Sequence, residues 1–232
     1  MKSKFIPKVL LPIDGQPMIK KLLNEVNKVD KNPIVVIGKN QNLVKEAVGA
    51  NAEYVEQSES LGTGHAVQCV IDKFGKFFSG PLLIIYGDHP FLTNVTIKKI
   101  FCKHTKNNSD LTLTTVFVPS DGPWVGYFKG NGRIIRDDQG QVKEIIEAKD
   151  ATPEQLAIKE RNASYLCFNS YWLWENISKI NNNNAQGEYY LTDMIKIACD
   201  QQARIMTQEV RPLEAVGINT PEEYQEALKI SK

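Results

Sequence analysis

The sequence predicts an α/β fold on a mainly parallel sheet, because apolar runs that suit strands alternate with segments of helical periodicity. Residues 34–37 and 82–85 are continuous apolar runs, and each is followed by a turn that contains glycine. Such runs are typical of strands buried on both faces of a parallel sheet. A helical pattern of apolar residues at i, i+3, i+4 and i+7 lies before them: Ile19, Leu22, Leu23 and Val26.

The second half of the chain predicts antiparallel strands that extend this sheet. Residues 111–118 have the composition of a strand, and residues 133–136 and 142–147 flank a turn that runs from Asp137 to Gly140. Aspartate and glycine at such a turn indicate a hairpin. In the first half of the chain, residues 53–57 have the pattern of a strand, and residues 66–71 and 95–104 have the pattern of helices.

A helix near the end of the chain has a clear start signal. Thr220 supplies a capping hydroxyl, Pro221 suits the first helical position, and Glu223 stands at the third. Tyr224, Ala227 and Leu228 then give the helix an apolar face.

The composition excludes several classes of protein. A chain of 232 residues suits one domain, and its 28 basic and 27 acidic residues form no basic stripe for nucleic acid. No apolar run approaches the roughly 20 residues that cross a bilayer, and no signal-type core follows the start. The four cysteines lack metal-ligand spacing, so we expect buried, reduced thiols. We therefore expect a cytoplasmic protein without membrane or nucleic-acid partners.

Asp88 is the first candidate for chemistry. It follows an apolar strand through Tyr86 and Gly87, and the carboxyl ends of parallel strands are where open α/β sheets bind ligands. An aspartate there can hold Mg²⁺, which takes one or two protein oxygens and fills its other positions with phosphates and water. The alternative is a solvated aspartate in a turn.

Two further loops precede helices. Residues 61–65 place two glycines and Thr63 at a helix start, where backbone N–H groups can face an anion or a base edge. Residues 187–193 place polar and aromatic groups before another helix, where Thr192 or Asp193 could act as a simple cap. Taken singly, each loop is equally well explained as an ordinary turn, and Lys8 as a surface lysine.

Taken in order, these motifs resemble the uridyltransferase domain of the N-acetylglucosamine-1-phosphate uridyltransferase family. The matching segments run through most of the chain: Pro7 to Leu10, Gly15 to Met18, Gln57 to Ala66, Tyr86 to Asp88, Gly132 to Ile134, Glu147 to Thr152, Asn184 to Tyr190 and Val216 to Asn219. The resemblance implies a Rossmann-like, three-layer nucleotidyltransferase fold of the GT-A-like type. It also implies a single domain, with a nucleotide-binding half in residues 1–110 and a sugar-phosphate-binding half in residues 111–232.

The resemblance implies the reaction of UTP with a sugar 1-phosphate, above all N-acetylglucosamine 1-phosphate, to give UDP-sugar and pyrophosphate. In-line displacement at the α-phosphate requires that the two substrates be positioned and that the charge on the phosphates be neutralised. It requires no nucleophile from the protein. On this interpretation Asp88 and Asn219 hold Mg²⁺, and Lys8 adds positive charge near the reacting phosphate.

The resemblance also implies which residues of this chain bind the two substrates, because they stand at positions that match the family's motifs. The nucleotide-binding residues implied by the resemblance are Gln57, Gly62, Thr63, Tyr86 and Gly87. A side-chain amide beside backbone groups matches the edge of uracil and favours UTP over purine nucleotides. The implied sugar-phosphate-binding residues are Gly132, Glu147, Asn162, Tyr190 and Thr192.

Three departures from the family pattern affect these expectations. Met1 to Ser3 align with the end of the family's opening L-x-x-G-x-G-T-R-M signature, so we expect the first strand and most of that loop to be missing. Residues 121–131 replace a tight Asp-Pro-x-Gly-Tyr-Gly turn and put Asn131 in place of its tyrosine. Asn162, Ala163 and Ser164 stand where the family has Asn-Thr-Gly.

Other interpretations of the sequence stay open. An incomplete phosphate loop beside a sugar site suits a non-catalytic regulator that binds sugar phosphate or nucleotide. A metal-dependent glycosyltransferase of related fold is a third interpretation, although Asp88 is not part of an Asp-x-Asp motif. The chain shows no hexapeptide repeats, so we expect no acetyltransferase activity. We expect a monomer or a weak homodimer.

Overall fold

The computed structural model describes residues 6–39, 41–75, 79–184 and 186–230. Its strands are Pro12–Ile13 (β1), Gln16–Pro17 (β2), Ile34–Gly38 (β3), Glu53–Gln57 (β4), Pro81–Ile84 (β5), Leu111–Phe117 (β6), Arg133–Arg136 (β7), Val142–Ile146 (β8), Glu160–Asn169 (β9) and Ile205–Glu209 (β10). Its α-helices are Met18–Val26 (α1), Asn42–Val48 (α2), Thr63–Phe74 (α3), Asn94–Lys106 (α4), Pro153–Leu156 (α5), Ser170–Asn176 (α6), Asp193–Asp200 (α7) and Pro221–Ile230 (α8). Short 3₁₀ turns lie at Lys8–Leu10, Ile177–Lys179 and Pro212–Ala215.

The main sheet has six strands and is organised around β9. β6 pairs in antiparallel fashion along one edge of β9, while β5 and β7 pair with two successive stretches of the opposite edge of β9. β10 lies parallel to β6, and β8 forms a hairpin with β7. The sheet is therefore mixed, which confirms the prediction that the second half of the chain adds antiparallel strands. The prediction of a mainly parallel sheet is wrong, because β6 and β10 form the one parallel pair among the described strands of this sheet.

Successive side chains of β9 point to opposite faces of the sheet and contact different helices. Tyr165 and Cys167 pack with residues of α1 and α4, whereas Leu166 and Phe168 pack with residues of α3, α6 and α7. Helices therefore cover both faces of the sheet. This arrangement confirms the predicted three-layer α/β fold.

The two apolar runs of the first half of the chain belong to different sheets, β3 to a small sheet and β5 to the main one. Strand β3 pairs in parallel with β4 in a separate two-stranded sheet, and no described strand joins this sheet to the main one. Within β3 the side chain of Ile37 is buried and the others are half-buried, as are Leu82 to Ile84 of β5. Full burial is therefore wrong for both runs. The β5 run nevertheless lies between two layers of helices as predicted, because Leu82 and Ile84 pack with residues of α3 and α7 while Leu83 packs with residues of α4. Its predicted parallel pairing is wrong, because β5 pairs with β9 in antiparallel fashion. Met1 to Ser3, on which the expectation about the opening strand rests, lie outside the described residues.

The local signals near turns and helix ends are confirmed. The hairpin turn closes with a hydrogen bond from the Gly140 N–H to the Asp137 carbonyl, at 2.9 Å. Helix α8 begins at Pro221, the Glu223 N–H donates to the Thr220 hydroxyl at 3.1 Å, and the Glu223 carboxylate accepts from the Thr220 N–H at 3.0 Å. Side chain and backbone thus satisfy each other at this helix start.

The exposure of the cysteines and the character of the helices test two further predictions from the sequence. All four cysteines are free thiols, but the prediction of burial is confirmed for Cys167 alone, because Cys69 and Cys199 are half-buried and Cys102 is exposed on α4. Within the described part of the chain, no helix has both the length and the apolar character that a bilayer crossing requires.

Candidate active site

Three side chains from distant parts of the chain meet beyond the carboxyl end of β5. The Lys8 ammonium donates to Asp88 Oδ2 at 2.6 Å and to Asn219 Oδ1 at 2.8 Å. The Ile218 N–H donates to the Asp88 carbonyl at 3.1 Å, which fixes the segment before α8 against the end of β5. The structure therefore brings together the three residues to which the sequence assigns chemistry and metal binding.

The second carboxylate oxygen of Asp88 is buried and accepts no hydrogen bond from the described residues. The nearest ring nitrogen, His89 Nε2, lies 3.6 Å from it, which is too far for a hydrogen bond. His89 is itself buried, and burial lowers the pKa of its ring, so the neutral form is favoured. Asp88 Oδ2 and Asn219 Oδ1, which share the Lys8 ammonium, and the unsatisfied Asp88 Oδ1 are hard oxygen donors, so these two residues fit Mg²⁺.

A chain of hydrogen bonds holds His89 in place. Its Nδ1 lies 2.9 Å from the Tyr165 hydroxyl, and that hydroxyl donates to the Glu214 carbonyl at 2.5 Å. Because the hydroxyl has a single proton, it must accept from His89 Nδ1, which leaves Nε2 without a proton in the neutral ring. The ring therefore presents a lone pair toward Asp88.

The Gln57 amide is fixed at the end of β4. Its Nε2 donates to the Gly62 carbonyl at 2.9 Å and lies 3.1 Å from His65 Nδ1. A carbonyl oxygen can only accept, so the NH₂ group of Gln57 must face it. The amide oxygen of Gln57 is thereby left as the open acceptor.

The two glycine-containing loops that the sequence singled out separately are bonded to each other. The Gly64 N–H donates to the Tyr189 carbonyl and the Tyr189 N–H donates to the Leu61 carbonyl, each at 2.8 Å. The Thr63 hydroxyl accepts from the Leu191 N–H at 3.0 Å. These bonds hold the start of α3 against the segment that leads into α7.

Tyr86 and Gly87 lie between the end of β5 and Asp88, and Tyr86 contacts the start of α3. Tyr86 makes a side-chain hydrogen bond with Thr63, while burial raises the pKa of its phenol. A Cβ on Gly87 would lie 3.2 Å from Ile19 Cδ1 and 3.5 Å from Val9 Cγ1, so the backbone packs closely against α1 and the 3₁₀ turn. Hydrogen bonds therefore link the predicted nucleotide-binding residues in pairs, Gln57 with Gly62 and Tyr86 with Thr63.

A cavity of about 280 Å³ opens beside Asn219. Most of the predicted sugar-phosphate-binding residues line it: Gly132, Glu147, Asn162 and Thr192. Tyr190 is not part of this lining, and its hydroxyl donates to Gln186 Oε1 at 2.7 Å. The cavity therefore joins the Asp88 centre to the residues that the sequence assigns to the acceptor.

The acceptor side of the cavity is acidic. Glu147 lies at its exposed rim, and desolvation of its carboxyl raises the pKa, to which Asp193 also contributes. Burial likewise raises the pKa of Asp193. Thr192 occupies the N-cap position of α7 but makes no capping hydrogen bond, so the alternative of a simple cap is wrong for this residue.

Sequence reasoning missed several residues of the cavity, among them His89 and Gly217. His89 directly follows Asp88, which was the available signal. A Cβ on Gly217 would lie 2.7 Å from His89 Nε2, so the close approach of this backbone to the ring requires glycine. That contact joins segments far apart in the chain, and no local pattern indicates it.

The departures from the family pattern within the described residues all fall at this cavity. Residues 121–130 form a series of turns, and Asn131 Nδ2 donates to the Asn162 carbonyl at 2.8 Å. Ser164 has φ +75°, a conformation that glycine adopts more readily than serine. The replacement of the family's glycine by Ser164 therefore places a strained residue beside Asn162.

Comparison with known proteins connects this geometry to a family. Residues 1–184 match the MobA-like NTP transferase domain. The chain is 40% identical over 222 residues to the bifunctional protein GlmU of Clostridium acetobutylicum, covering 95% of this chain and 47% of that protein. It is 38% identical over 232 residues to GlmU of Clostridium novyi, covering 99% and 49%. The chain thus spans about half the length of these relatives.

Solved structures share the fold. A UDP-glucose pyrophosphorylase complexed with UDP-glucose superposes with a TM-score of 0.74 at 17% identity, covering 98% of this chain and 90% of that one. A CMP:2-keto-3-deoxy-manno-octonic acid synthetase complexed with CTP gives a TM-score of 0.69 at 14% identity, covering 96% and 90%. At such identities the likeness concerns the fold.

Proposed function

This chain belongs to the MobA-like NTP transferase domain family, and from that premise we propose that it makes UDP-sugar from UTP and a sugar 1-phosphate, specifically N-acetylglucosamine 1-phosphate. A phosphate oxygen of the sugar attacks the α-phosphorus of UTP, the bond to the bridging oxygen breaks, and pyrophosphate leaves. The observation that carries the proposal is the meeting of Lys8, Asp88 and Asn219 at the edge of the cavity, which Asn219 lines.

Charge at the reacting phosphates is met by this chain's own groups. The Lys8 ammonium is half-buried beside Asp88, where it can move a short distance to neutralise a developing phosphoryl charge. Asp88 and Asn219 are the residues that would hold Mg²⁺. Such an ion, when bound, neutralises phosphate charge and acts as a Lewis acid.

Selection of uracil follows from the fixed Gln57 amide. With its NH₂ group engaged by Gly62 and His65, the amide presents an acceptor to the base. Uracil has a donor at N3–H, whereas cytosine has an acceptor at N3. A pocket with an acceptor at this point therefore favours UTP over CTP.

The acceptor sugar is recognised by opposite hydrogen-bonding groups. Asn162 Oδ1 accepts from the Ser164 N–H at 2.9 Å, so its NH₂ group is left to donate to a sugar oxygen. Glu147 supplies acceptor oxygens for sugar hydroxyls. A Cβ on Gly132 would lie 2.6 Å from Ile145 Cγ2 and 3.5 Å from Glu147 Oε1, so the close packing of the cavity lining at this position requires glycine.

Pyrophosphate release tests the proposal. Purified protein receives UTP, Mg²⁺ and N-acetylglucosamine 1-phosphate, with CTP, glucose 1-phosphate and galactose 1-phosphate as alternative substrates. We expect turnover with UTP and the N-acetylated sugar, and a loss of at least about a hundredfold in kcat for Asp88→Asn.

Asp138→Asn is the matched control, because Asp138 is an exposed residue of the hairpin turn and its replacement removes the same charge far from the cavity. Full activity of Asp88→Asn would contradict the assigned role. Binding of UTP without pyrophosphate release, with any of these sugar phosphates, would instead support the non-catalytic regulator.

A further inference from the structure

Two buried arginines lie directly opposite each other in the main sheet. Arg133 of β7 and Arg161 of β9 form a cross-strand pair, and their exposed fractions are 3% and 6%. Like charges directly opposite across strands are unfavourable, and a buried charge is costly unless it is paired. Burial lowers the pKa of both guanidinium groups, and Arg133 lowers that of Arg161 further.

No carboxylate compensates these charges within the described part of the chain. Arg136, on the same strand as Arg133, forms an ion pair with Glu160, whereas Arg133 and Arg161 form none with any described residue. The Nε atoms of both are buried and have no hydrogen-bond partner among the described residues. A pair of apolar side chains would fill the same space at a lower cost. Stability therefore gives no reason for these two arginines.

Their hydrogen bonds all go to one short stretch of backbone. Arg161 Nη1 donates to the Phe128 carbonyl at 2.6 Å. Arg133 Nη1 donates to the Lys129 carbonyl at 3.2 Å and also to the Asn131 carbonyl. A planar guanidinium with several donors can hold such a set of carbonyls, which a single ammonium cannot do in the same geometry.

That stretch forms one wall of the cavity beside Asn219. Phe128, Gly130 and Asn131 line the cavity, whereas Arg133 and Arg161 do not. The wall is joined to the acceptor side by the bond from Asn131 Nδ2 to the Asn162 carbonyl. The arginines thus hold the wall from behind, in the segment where the chain departs from the family's tight turn.

We propose that Arg133 and Arg161 are positioning residues that fix the 128–131 wall and thereby set which sugar 1-phosphate fits the cavity. This inference rests on the proposed function. The two guanidinium groups act through the backbone of the wall and touch neither nucleotide nor sugar. Loss of either group loosens the wall, so the acceptor is bound less well while the nucleotide site is unchanged.

Arg161→Met tests the inference in the full chain. We expect KM for the sugar 1-phosphate to rise about tenfold, with kcat and KM for UTP within about twofold of the original. Hydrogen exchange of the amides of residues 125–131 should become faster, while exchange in β6 stays the same. Arg136→Met is the matched control, because it removes the same side chain from the same strand as Arg133 without releasing the wall.

The outcomes separate the two proposals. If the original protein releases no pyrophosphate, the proposed function fails. Faster hydrogen exchange of residues 125–131 in Arg161→Met would still show that the arginine fixes the wall. If the original protein is active and Arg161→Met changes both KM values equally, or neither, the positioning role is overturned. Asn131→Ala, which cuts the bond to Asn162 without touching the buried pair, must raise KM for the sugar alone, and an unchanged value would also overturn the inference.

Discussion

At the scale of single residues, Gly62 both packs against a neighbouring loop and orients the Gln57 amide. Its φ is +99°, and a Cβ there would lie 2.6 Å from the Tyr189 carbonyl oxygen and 2.9 Å from the Tyr189 nitrogen. Both contacts are with backbone, so rotation of a side chain cannot relieve them. The Gly62 carbonyl also orients the Gln57 amide, so the same residue determines that the amide oxygen of Gln57 is left as the open acceptor.

Gly62→Ala should lower the free energy of unfolding by about 3 kcal/mol, from a left-handed conformation and a backbone clash together. Gly140→Ala is the control, because Gly140 also has positive φ but a Cβ there would meet no other atom within 4 Å. The control should lose about 1 kcal/mol. Urea unfolding measures both values, and equal losses would show that the clash is absent.

At the scale of secondary-structure elements, α1 and α4 are joined through a carboxylate at a helix start. Glu25 Oε2 accepts from the Asn94 N–H at 2.8 Å and from Asn94 Nδ2 at 2.6 Å. Burial by itself would raise the pKa of Glu25, but these bonds and Lys28 lower it to about 2. A negative charge at the start of α4 also interacts favourably with the helix dipole.

Glu25→Gln should make the free energy of unfolding less dependent on pH between 4.5 and about 2. Because the pKa of Glu25 is lower in the folded state, its contribution is fully present above pH 4.5 and is lost as pH falls toward 2. We expect the variant to lose about 1 kcal/mol at neutral pH and to converge with the original protein near pH 2. Urea unfolding across this range measures the difference. Glu46→Gln, at an exposed position of α2, is the control, and a Glu25→Gln curve parallel to the original would contradict the prediction.

At the scale of the whole molecule, the candidate site exists because remote segments converge. Lys8 is 80 residues from Asp88 and 211 residues from Asn219 in the sequence. The Tyr224 hydroxyl of α8 donates to the Pro12 carbonyl at 2.7 Å, which also fixes the last helix against the first strand. The Lys8 ammonium therefore lies between the two oxygens that would hold a divalent cation.

Lys8→Met should strengthen binding of Mn²⁺ in the absence of nucleotide by about tenfold, because the ammonium and the metal compete for the same oxygens. Electron paramagnetic resonance of free and bound Mn²⁺ measures the affinity without any turnover. Lys21→Met, which removes a lysine of α1 that is paired with Asp14, is the control. Equal or weaker binding by Lys8→Met would show that the lysine does not occupy the cation position.

The sequence predicted those features that depend on neighbouring residues. Thr220, Pro221 and Glu223 specify the start of α8 because capping is a matter of adjacent groups, and Asp137 to Gly140 specify the hairpin for the same reason. The periodicities predicted strands, helices and the α/β class. The order of motifs also indicated that Asp88, Asn219 and Lys8 belong to one site.

Only the tertiary structure decided features that arise between distant segments. The contact of Gly217 with His89, the orientation of the Gln57 amide and the pairing of Arg133 with Arg161 each depend on how elements pack. The assignment of β3 and β5 to different sheets also follows from strand pairing, which apolar runs do not specify. The physical reason is common to all of them: periodicity and capping are local, whereas burial, hydrogen-bond partners and pairing are set by the fold as a whole.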